Sequence, residues 1–357
     1  MLGQVLDLPL AQYVRAGKLP ATRTTLAEIL SAHGLHTAAF VAGPWLNRVF
    51  GLLQGFDFKD DDVDLFGGRP AEEITDRALD WLAELPASEP YFLFVNYFDP
   101  HAPYEPIHEH PDLPNAQKPF QPDYDSLMRG ESLLSQSERK ILRDRYDAEI
   151  REMDRQLGRL LDAVLAREID RQTLVIVTAD HGEVLGEEGR FGHGFWLTED
   201  LIRIPLVVRY PDERGAGTWD DQPIQLVDVL PLVAAELGLA LPAEVEGLKP
   251  GVREIAIAEL YRNSTTVVRY GHRYDRDFHV AIDWPYKLER LGNSAKKLSR
   301  LRDDSLQEIP ESPRPDVQER LTAALESHIL GAPDHDIVRP ETSSEIVEAL
   351  RRLGYLE

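Results

Sequence analysis

The stretch that most constrains the fold of this chain is Thr173 to His193, TLVIVTADHGEVLGEEGRFGH. Its opening segment, TLVIVT, is β-branched and lacks Pro and Gly, a pattern typical of a buried strand in a parallel sheet. Asp180 and His181 follow where this run stops, and Gly182 permits a sharp turn there. Ligands bind at the carboxyl ends of strands in open α/β sheets, so the pair is predicted to lie at a functional edge.

The residue types at this edge favour metal and anion binding. An aspartate beside a histidine suits a divalent metal because it offers an anionic oxygen next to an imidazole. His193 lies between Gly192 and Gly194, where little side-chain bulk would obstruct a ligand. A lone Asp-His pair is more often a turn-capping aspartate and a satisfied buried histidine. The strand edge, the glycines and the second histidine together favour the functional interpretation.

A second apolar strand is predicted at Tyr91 to Phe98, YFLFVNYF, and the segment DPHAPY follows it. Pro100 and Pro103 end the strand and hold the loop open, so His101 should be presented at the sheet edge. On these residues alone, a surface histidine without a function would be the better interpretation of His101.

Other segments predict the scaffold. Thr25 and Glu28 have capping-box spacing, which predicts a helix start. Glu138 to Arg167 has apolar residues at steps of three and four, as expected of a long core-packing helix. Residues 105–135 show no periodicity and predict a surface loop. The aspartates at 60, 61, 62 and 64 are interpreted as a solvated acidic loop.

The pattern of apolar and polar residues changes in the C-terminal third of the chain. From Val267, in VVRYGHRY, HVAIDWPYKLERL and KKLSRLRDD, apolar and polar residues alternate between turns, which predicts an antiparallel sheet. A helix is predicted at Asp316 to Ile329, and a last one in EIVEALRRLGYLE at the chain end.

Composition narrows the partners. A formal net charge of −23 over 357 residues argues against nucleic acid, whose phosphates would be repelled. The absence of cysteine excludes disulfides. No stretch approaches the roughly 20 apolar residues that span a bilayer, and we expect no signal peptide in the first 18 residues, which lack a basic region and a long apolar core. We expect a soluble protein that is cytoplasmic as encoded. It could be exported if a longer N-terminus carries a signal peptide. The sequence does not indicate the oligomeric state.

The run from Tyr146 to Pro211 resembles the sulfatase family of the alkaline-phosphatase-like superfamily. The matching pieces are YDAEIREMDRQLGRLLDAV, TLVIVTADHGEVLGEEG, GHG and LIRIPLVVRYP, in the family's order, and DPHAPY is similar to its HxPY-type motif. The resemblance implies an alkaline-phosphatase-like α/β sandwich with a mostly parallel central sheet over residues 1–262. A small antiparallel subdomain would follow at residues 263–357.

The resemblance also implies roles for four residues. Asp180 and His181 would bind a divalent metal, Ca²⁺ ahead of Mg²⁺ or Mn²⁺, and His101 and His193 would contact the sulfate or the leaving oxygen. All four side chains are expected to converge on one pocket. The substrate would be a small-molecule or glycan sulfate ester. A phosphonate or phosphodiester hydrolase is the alternative, because that class shares the DHG signature, and a non-catalytic remnant is a third interpretation.

Two family motifs have no counterpart here. Sulfatases open with a strand carrying two metal-binding aspartates, followed by C/S-x-P-x-R, whose Cys or Ser becomes formylglycine. The chain contains no cysteine, and Ser312-Pro313-Arg314 lacks the spacing. The expectation is therefore an N-terminally truncated fold from a longer active enzyme whose true start lies upstream. A genuinely shortened, inactive relative is the alternative.

The lack of a matching nucleophile generates one prediction about activity. The 357-residue chain should show no hydrolysis of an aryl sulfate above the buffer rate, because no residue of it matches the family's nucleophile. Release of 4-nitrophenol from 4-nitrophenyl sulfate, with and without added Ca²⁺ or Mg²⁺, measures this. Metal-dependent turnover would contradict the prediction.

Overall fold

The computed structural model describes residues 18–43, 46–63, 68–167, 172–243, 245–262, 264–292, 296–302, 305–310 and 314–331. The helix predicted at the chain end and Asp64 of the acidic run lie outside these residues. Among the described helices, none is both long enough and apolar enough to cross a membrane.

The helices are α1 (Leu26–Ala32), α2 (Ala71–Glu84), α3 (Tyr124–Arg129), α4 (Gln136–Leu165), α5 (Glu199–Ile202), α6 (Val229–Leu237), α7 (Ser264–Tyr270) and α8 (Pro315–Gly331). The strands are β1 (His36–Val41), β2 (Phe58–Asp60), β3 (Tyr91–Asn96), β4 (Val175–Thr178), β5 (Leu206–Arg209), β6 (Ala256–Leu260), β7 (Phe278–Asp283), β8 (Tyr286–Leu291), β9 (Lys297–Arg302) and β10 (Ser305–Pro310). They belong to two compact units. The first contains the described residues up to Gln121 and Ser135–Thr173, and the second contains Pro122–Leu134 and the described residues from Leu174 onward.

The first unit is built on a parallel three-stranded sheet in the order β2-β1-β3. The central strand β1 is covered on both faces. Phe40 packs with Ile74 of α2 and Leu160 of α4 on one face, while Val41 packs with Leu53 on the other. This double burial explains why residues 38–41, AAFV, form a continuous apolar run. The capping box predicted at the start of α1 is also present.

The prediction of a solvated acidic loop is wrong for two of its aspartates. The Asp60 side chain is only 2% exposed and pairs with Arg69 at 2.6 Å and with Arg77 at 2.7 Å. The Asp61 carboxylate is buried as well and accepts a hydrogen bond from the Arg48 backbone N–H at 2.7 Å. The arginines that neutralise these charges lie 9 to 17 residues away, outside the acidic run, so the run by itself carried no sign of them. Asp62 is exposed, as predicted.

The long helix α4 is present, but its buried side is more polar than the apolar spacing indicated. Glu149, Glu152 and Gln156 are buried along one stripe, whereas Met153 and Leu157 are only partly buried. The two carboxylates accept hydrogen bonds from backbone N–H groups of the segment after residue 104, including that of His108 at 2.6 Å. This helix therefore orders part of the region that the sequence predicts to be a surface loop.

The second unit contains the antiparallel sheet that the alternating pattern predicts. Five strands pair in the order β10-β9-β8-β7-β6, all antiparallel. On one face Ala281 and Leu288 pack against Leu321 of α8, and on the other Phe278 packs with Leu197. The structure thus confirms an α/β fold with a parallel and an antiparallel sheet. The domain boundary predicted between residues 262 and 263 stays a prediction.

Three local predictions are wrong. Strand β4 is half-buried, and its pairing within the described residues is antiparallel, with β5, because the chain returns through α5 and runs back beside it. The loop predicted at 105–135 contains helix α3, which has Asp123 as its N-cap and Gly130 as its left-handed C-cap. The start of the predicted antiparallel region, VVRY, belongs instead to helix α7.

The buried stripe of α4 generates a prediction about pH. Burial raises the pKa of Glu149 to about 9, and the charges of Asp99 and Glu152 add to the effect, while the Glu105 amide and Arg145 oppose it. Between the unfolded and folded pKa values, the folded state holds a proton that the unfolded state has lost. Stability should therefore fall as pH rises from about 5 to about 9, by at most about 1.4 kcal/mol per pH unit from this group.

The variant Glu149→Gln should remove that component, because glutamine stays neutral at every pH. Urea unfolding at several pH values measures the difference in unfolding free energy between variant and wild type, which should grow in favour of the variant with rising pH. Asp154→Asn, an exposed carboxylate of the same helix, is the control. Parallel pH profiles for wild type and Glu149→Gln would contradict the assignment.

Candidate functional site

The turn after β4 is shaped by a close backbone approach. The Gly182 N–H donates to the Leu201 carbonyl at 2.8 Å. A Cβ atom at position 182 would lie 2.0 Å from the Asp200 carbonyl oxygen, a distance that no side chain tolerates. Glycine is therefore required in the DHG segment because α5 packs directly against it.

Asp180 and His181 come directly after this strand. The His181 backbone N–H donates to Asp180 Oδ1 at 2.9 Å, and His181 Nε2 lies 3.7 Å from Asp180 Oδ2. The Asp180 side chain is 84% exposed, so its carboxylate faces solvent rather than capping a buried turn. His181 Nδ1 lies 2.8 Å from the Gly182 carbonyl oxygen. A carbonyl only accepts, so Nδ1 carries the proton and the Nε2 lone pair faces outward in the neutral ring.

His193 is held by a carboxylate that lies outside the motif residues. His193 Nδ1 lies 3.2 and 3.1 Å from the two carboxylate oxygens of Glu183. The Glu183 side chain is only 6% exposed. Burial by itself would lower the pKa of His193, but the hydrogen bond and charge of Glu183 and the charge of Asp180 together raise it. The ring is therefore biased toward the imidazolium form, with Nε2 directed away from Glu183.

The two histidines lie together. The rings of His181 and His193 stack with centroids 4.2 Å apart and an interplanar angle of 27°. Gly192 donates its N–H to the Val184 carbonyl at 2.9 Å, which folds the segment back. A Cβ on Gly194 would meet no atom within 4 Å, so the space beside His193 is open. The structure thus brings Asp180, His181 and His193 into one small site.

The donor atoms fit part of a divalent-metal shell. A carboxylate oxygen of Asp180 and Nε2 of His181 are adjacent, and the hydrogen bond from His181 Nδ1–H to a carbonyl is the support that metal-binding histidines commonly receive. Among the described residues, no group of three or more His, Asp or Glu side chains is arranged to hold a metal. Two donors are fewer than the six or more that Ca²⁺ takes.

His101 belongs to the first unit, where it follows β3 as predicted. Its ring stacks on Phe98 with centroids 4.2 Å apart, and its Nδ1 lies 2.7 Å from the Ala102 carbonyl oxygen. These contacts orient the ring at the carboxyl end of a parallel strand. Its convergence with the other three residues stays a prediction.

Glu183 is the residue of the candidate site that could not be predicted from the sequence. The only signal was its place two residues after His181, inside the same glycine-rich segment. A glutamate at such a position is usually solvated. Its burial and its pairing with His193 depend on the fold of the segment around Val184 and Gly192, which the motif does not encode.

The sequence and the fold are similar to those of known proteins. An uncharacterized sulfatase, YidJ, of Escherichia coli strain K12 is 29% identical over 202 residues, which cover 53% of this chain and 39% of the relative. The chain thus aligns with less than half the length of that relative.

Solved structures match over most of the chain. A protein in complex with its substrate D-glucosamine-2-N,6-O-disulfate superposes with a TM-score of 0.68 at 17% identity, covering 92% of this chain and 85% of the other. A phosphonate monoester hydrolase from Silicibacter pomeroyi has a TM-score of 0.67 at 18% identity, covering 91% and 84%. At these identities the matches establish the fold, and they confirm the predicted alkaline-phosphatase-like architecture.

The family model supplies the remaining evidence. The Sulfatase model matches residues 7–239, which is well over half of the chain and includes the segment around Asp180 and His193. The chain therefore belongs to the sulfatase family.

Proposed function

We propose that this protein is a hydrolase of sulfate esters and that this chain supplies metal and sulfate contacts of its active site. The observation that carries the proposal is the arrangement of His193, held by buried Glu183 and stacked on His181, beside the exposed Asp180. Membership of the sulfatase family supports it.

His193 would contact the sulfate and assist the leaving group. A protonated imidazole offers a charge-assisted hydrogen bond to a sulfate oxygen, and Nε2 would deliver a proton to the departing alcohol oxygen. Glu183 would hold the ring in the orientation and protonation state that this role requires. His101 is proposed for the same end of the substrate, as a second contact to the sulfate or the leaving oxygen.

Asp180 and His181 would hold a divalent cation, Ca²⁺ ahead of Mg²⁺ or Mn²⁺. A bound cation would polarise the sulfate as a Lewis acid. The residues themselves present an anionic oxygen and an imidazole nitrogen side by side, and Gly182 fixes the turn that places them there.

The substrate class that the comparisons favour is a sulfated saccharide. The solved protein that superposes with a TM-score of 0.68 was captured with a disulfated glucosamine as its substrate. We therefore propose a sugar sulfate, with small aryl sulfates as the alternative.

A phosphonate monoester hydrolase is the second candidate. The specific observation is the TM-score of 0.67 with an enzyme of that activity, close to the value for the sugar-sulfate complex. The two functions differ in the ligand that the site should prefer. Sulfate and phosphonate monoesters of the same alcohol both carry one negative charge, so a preference between them reports the geometry of the site. Preference for the sulfate would support the sulfatase.

The binding test uses glucosamine 6-sulfate and His193→Ala. Loss of the charge-assisted hydrogen bond should weaken binding about tenfold, equivalent to about 1.4 kcal/mol. Isothermal titration calorimetry on the 357-residue chain measures the change. His328→Ala removes a partly exposed histidine of the same unit and should leave affinity unchanged. Equal affinities for wild type and His193→Ala, or a preference for the phenyl ester of a phosphonate over phenyl sulfate, would overturn the sulfate assignment.

A prediction about metal affinity follows from the presence of only two donor residues, Asp180 and His181, among the described residues of the candidate site. Ca²⁺ and Mg²⁺ should bind this chain with dissociation constants above the millimolar range, and Asp180→Ala should change thermal stability little in millimolar metal. A ligand stabilises a fold only by RT ln(1 + [L]/Kd), which is near zero when Kd exceeds the ligand concentration. Calorimetry with CaCl₂ is the measurement. Tight binding that Asp180→Ala abolishes would show that further residues complete the shell.

A further inference from the structure

Three arginines gather around one tryptophan in the second unit. The guanidinium carbons of Arg190, Arg273 and Arg276 lie 5.4, 5.3 and 5.6 Å from the ring centroid of Trp196. We call this group the arginine cluster. Arg190 and Trp196 lie in the segment after Gly186, and the other two arginines lie between α7 and β7.

The positive charge of the cluster is poorly compensated. Arg190 pairs with Glu188 at 2.9 Å, but the Glu188 side chain is 73% exposed. Within the part of the chain that the structure describes, neither Arg273 nor Arg276 has a carboxylate partner, although the chain as a whole carries a net charge of −23. Burial and the neighbouring charges of Arg273 and Arg190 lower the pKa of Arg276.

Stacking on aromatic rings does not by itself explain the cluster. One guanidinium over an indole is a favourable and common contact. Three of them on the same ring repel each other, and the ring cannot neutralise them because it carries no net charge. An anion between the guanidinium groups would do so, since their planar forks match the oxygens of sulfate and carboxylate.

A second aromatic residue, the buried Tyr274, lies beside the cluster. Tyr274 packs beside Trp196 with ring centroids 5.7 Å apart, and Arg273 lies 5.1 Å from the Tyr274 ring centroid. His193, proposed above to contact a sulfate, lies in sequence midway between Arg190 and Trp196. The segment from Arg190 to Trp196 therefore contributes residues to the arginine cluster and to the candidate site at His193.

We propose that the arginine cluster binds a second anionic group, a sulfate or a carboxylate, on a saccharide whose first sulfate lies at His193. The ligand is then a sugar with at least two negative charges, and the protein selects such sugars over those with a single sulfate. The inference rests on the proposed action on sulfate esters for the position of the first sulfate.

Calorimetry with matched ligands tests the proposal on the 357-residue chain. The probes are three disaccharides: one with a single sulfate, one with two sulfates, and one with a single sulfate and a uronate. The wild type should bind at least one of the doubly charged sugars at least tenfold tighter than the singly charged one. The sugar that shows the preference identifies the anion. Arg273→Gln/Arg276→Gln should lose the preference while still binding the singly charged sugar.

The control is Arg203→Gln, which removes an arginine stacked on Trp284 at 4.9 Å, outside the cluster, and should keep the preference. Circular dichroism checks that each variant is folded. If a variant does not fold, a second measurement needs only the wild-type protein. Phenylglyoxal modification, read by mass spectrometry, should be slowed at Arg273 and Arg276 by the doubly charged sugar.

Equal affinity of the wild type for singly and doubly charged sugars, or a preference that survives in the double variant, would overturn the proposal. Inorganic sulfate that binds as tightly as the disaccharide would also overturn it, because the ligand would then be a free anion. If the preference is found but His193→Ala binds every sugar as tightly as the wild type, the proposed function fails while the arginine cluster stands.

Discussion

The candidate site depends on a buried carboxylate that has to be compensated. Glu183 is almost fully removed from solvent, and a buried ionised carboxylate is tolerated only with a partner of opposite charge or several hydrogen bonds. His193 meets both oxygens, which fixes the ring and favours its cationic form. The ring of His181, which follows the turn fixed by Gly182 and α5, stacks on the His193 ring. A chain of local contacts, rather than one motif, determines where the reactive atoms lie.

The same physical rule recurs in the first unit with different partners. Asp60 is buried against two arginines, whereas Glu149 and Glu152 accept hydrogen bonds from backbone N–H groups. The two solutions have opposite consequences. The arginine partners hold the pKa of Asp60 below its usual range despite burial, whereas burial raises the pKa of Glu149 to about 9 because the Glu105 amide and Arg145 oppose it only in part. Each buried acid thereby ties a connecting segment to the sheet or to α4.

Charge is distributed unevenly for an acidic protein. Most carboxylates are on the surface, where they would repel a sulfated ligand. The arginine cluster and His193 are local exceptions, and both occur in or beside one glycine-rich segment. A protein with a negative surface can bind an anion only where the local charge is positive, because the surface as a whole does not attract the anion over long distances. Recognition should therefore rest on short-range, directional contacts.

The sequence by itself determined the elements whose signal is local. The capping box before α1 and the antiparallel strands of the C-terminal sheet could be recognised, because cap chemistry and strand periodicity depend on neighbouring residues. The order of family motifs determined the family. Tertiary structure alone decided the antiparallel partner of β4, the burial of Asp60 and the pairing of Glu183 with His193. Those outcomes depend on which segments of the chain meet in the fold. The identity of a charged residue does not reveal whether its side chain faces water or pairs with a buried counterion.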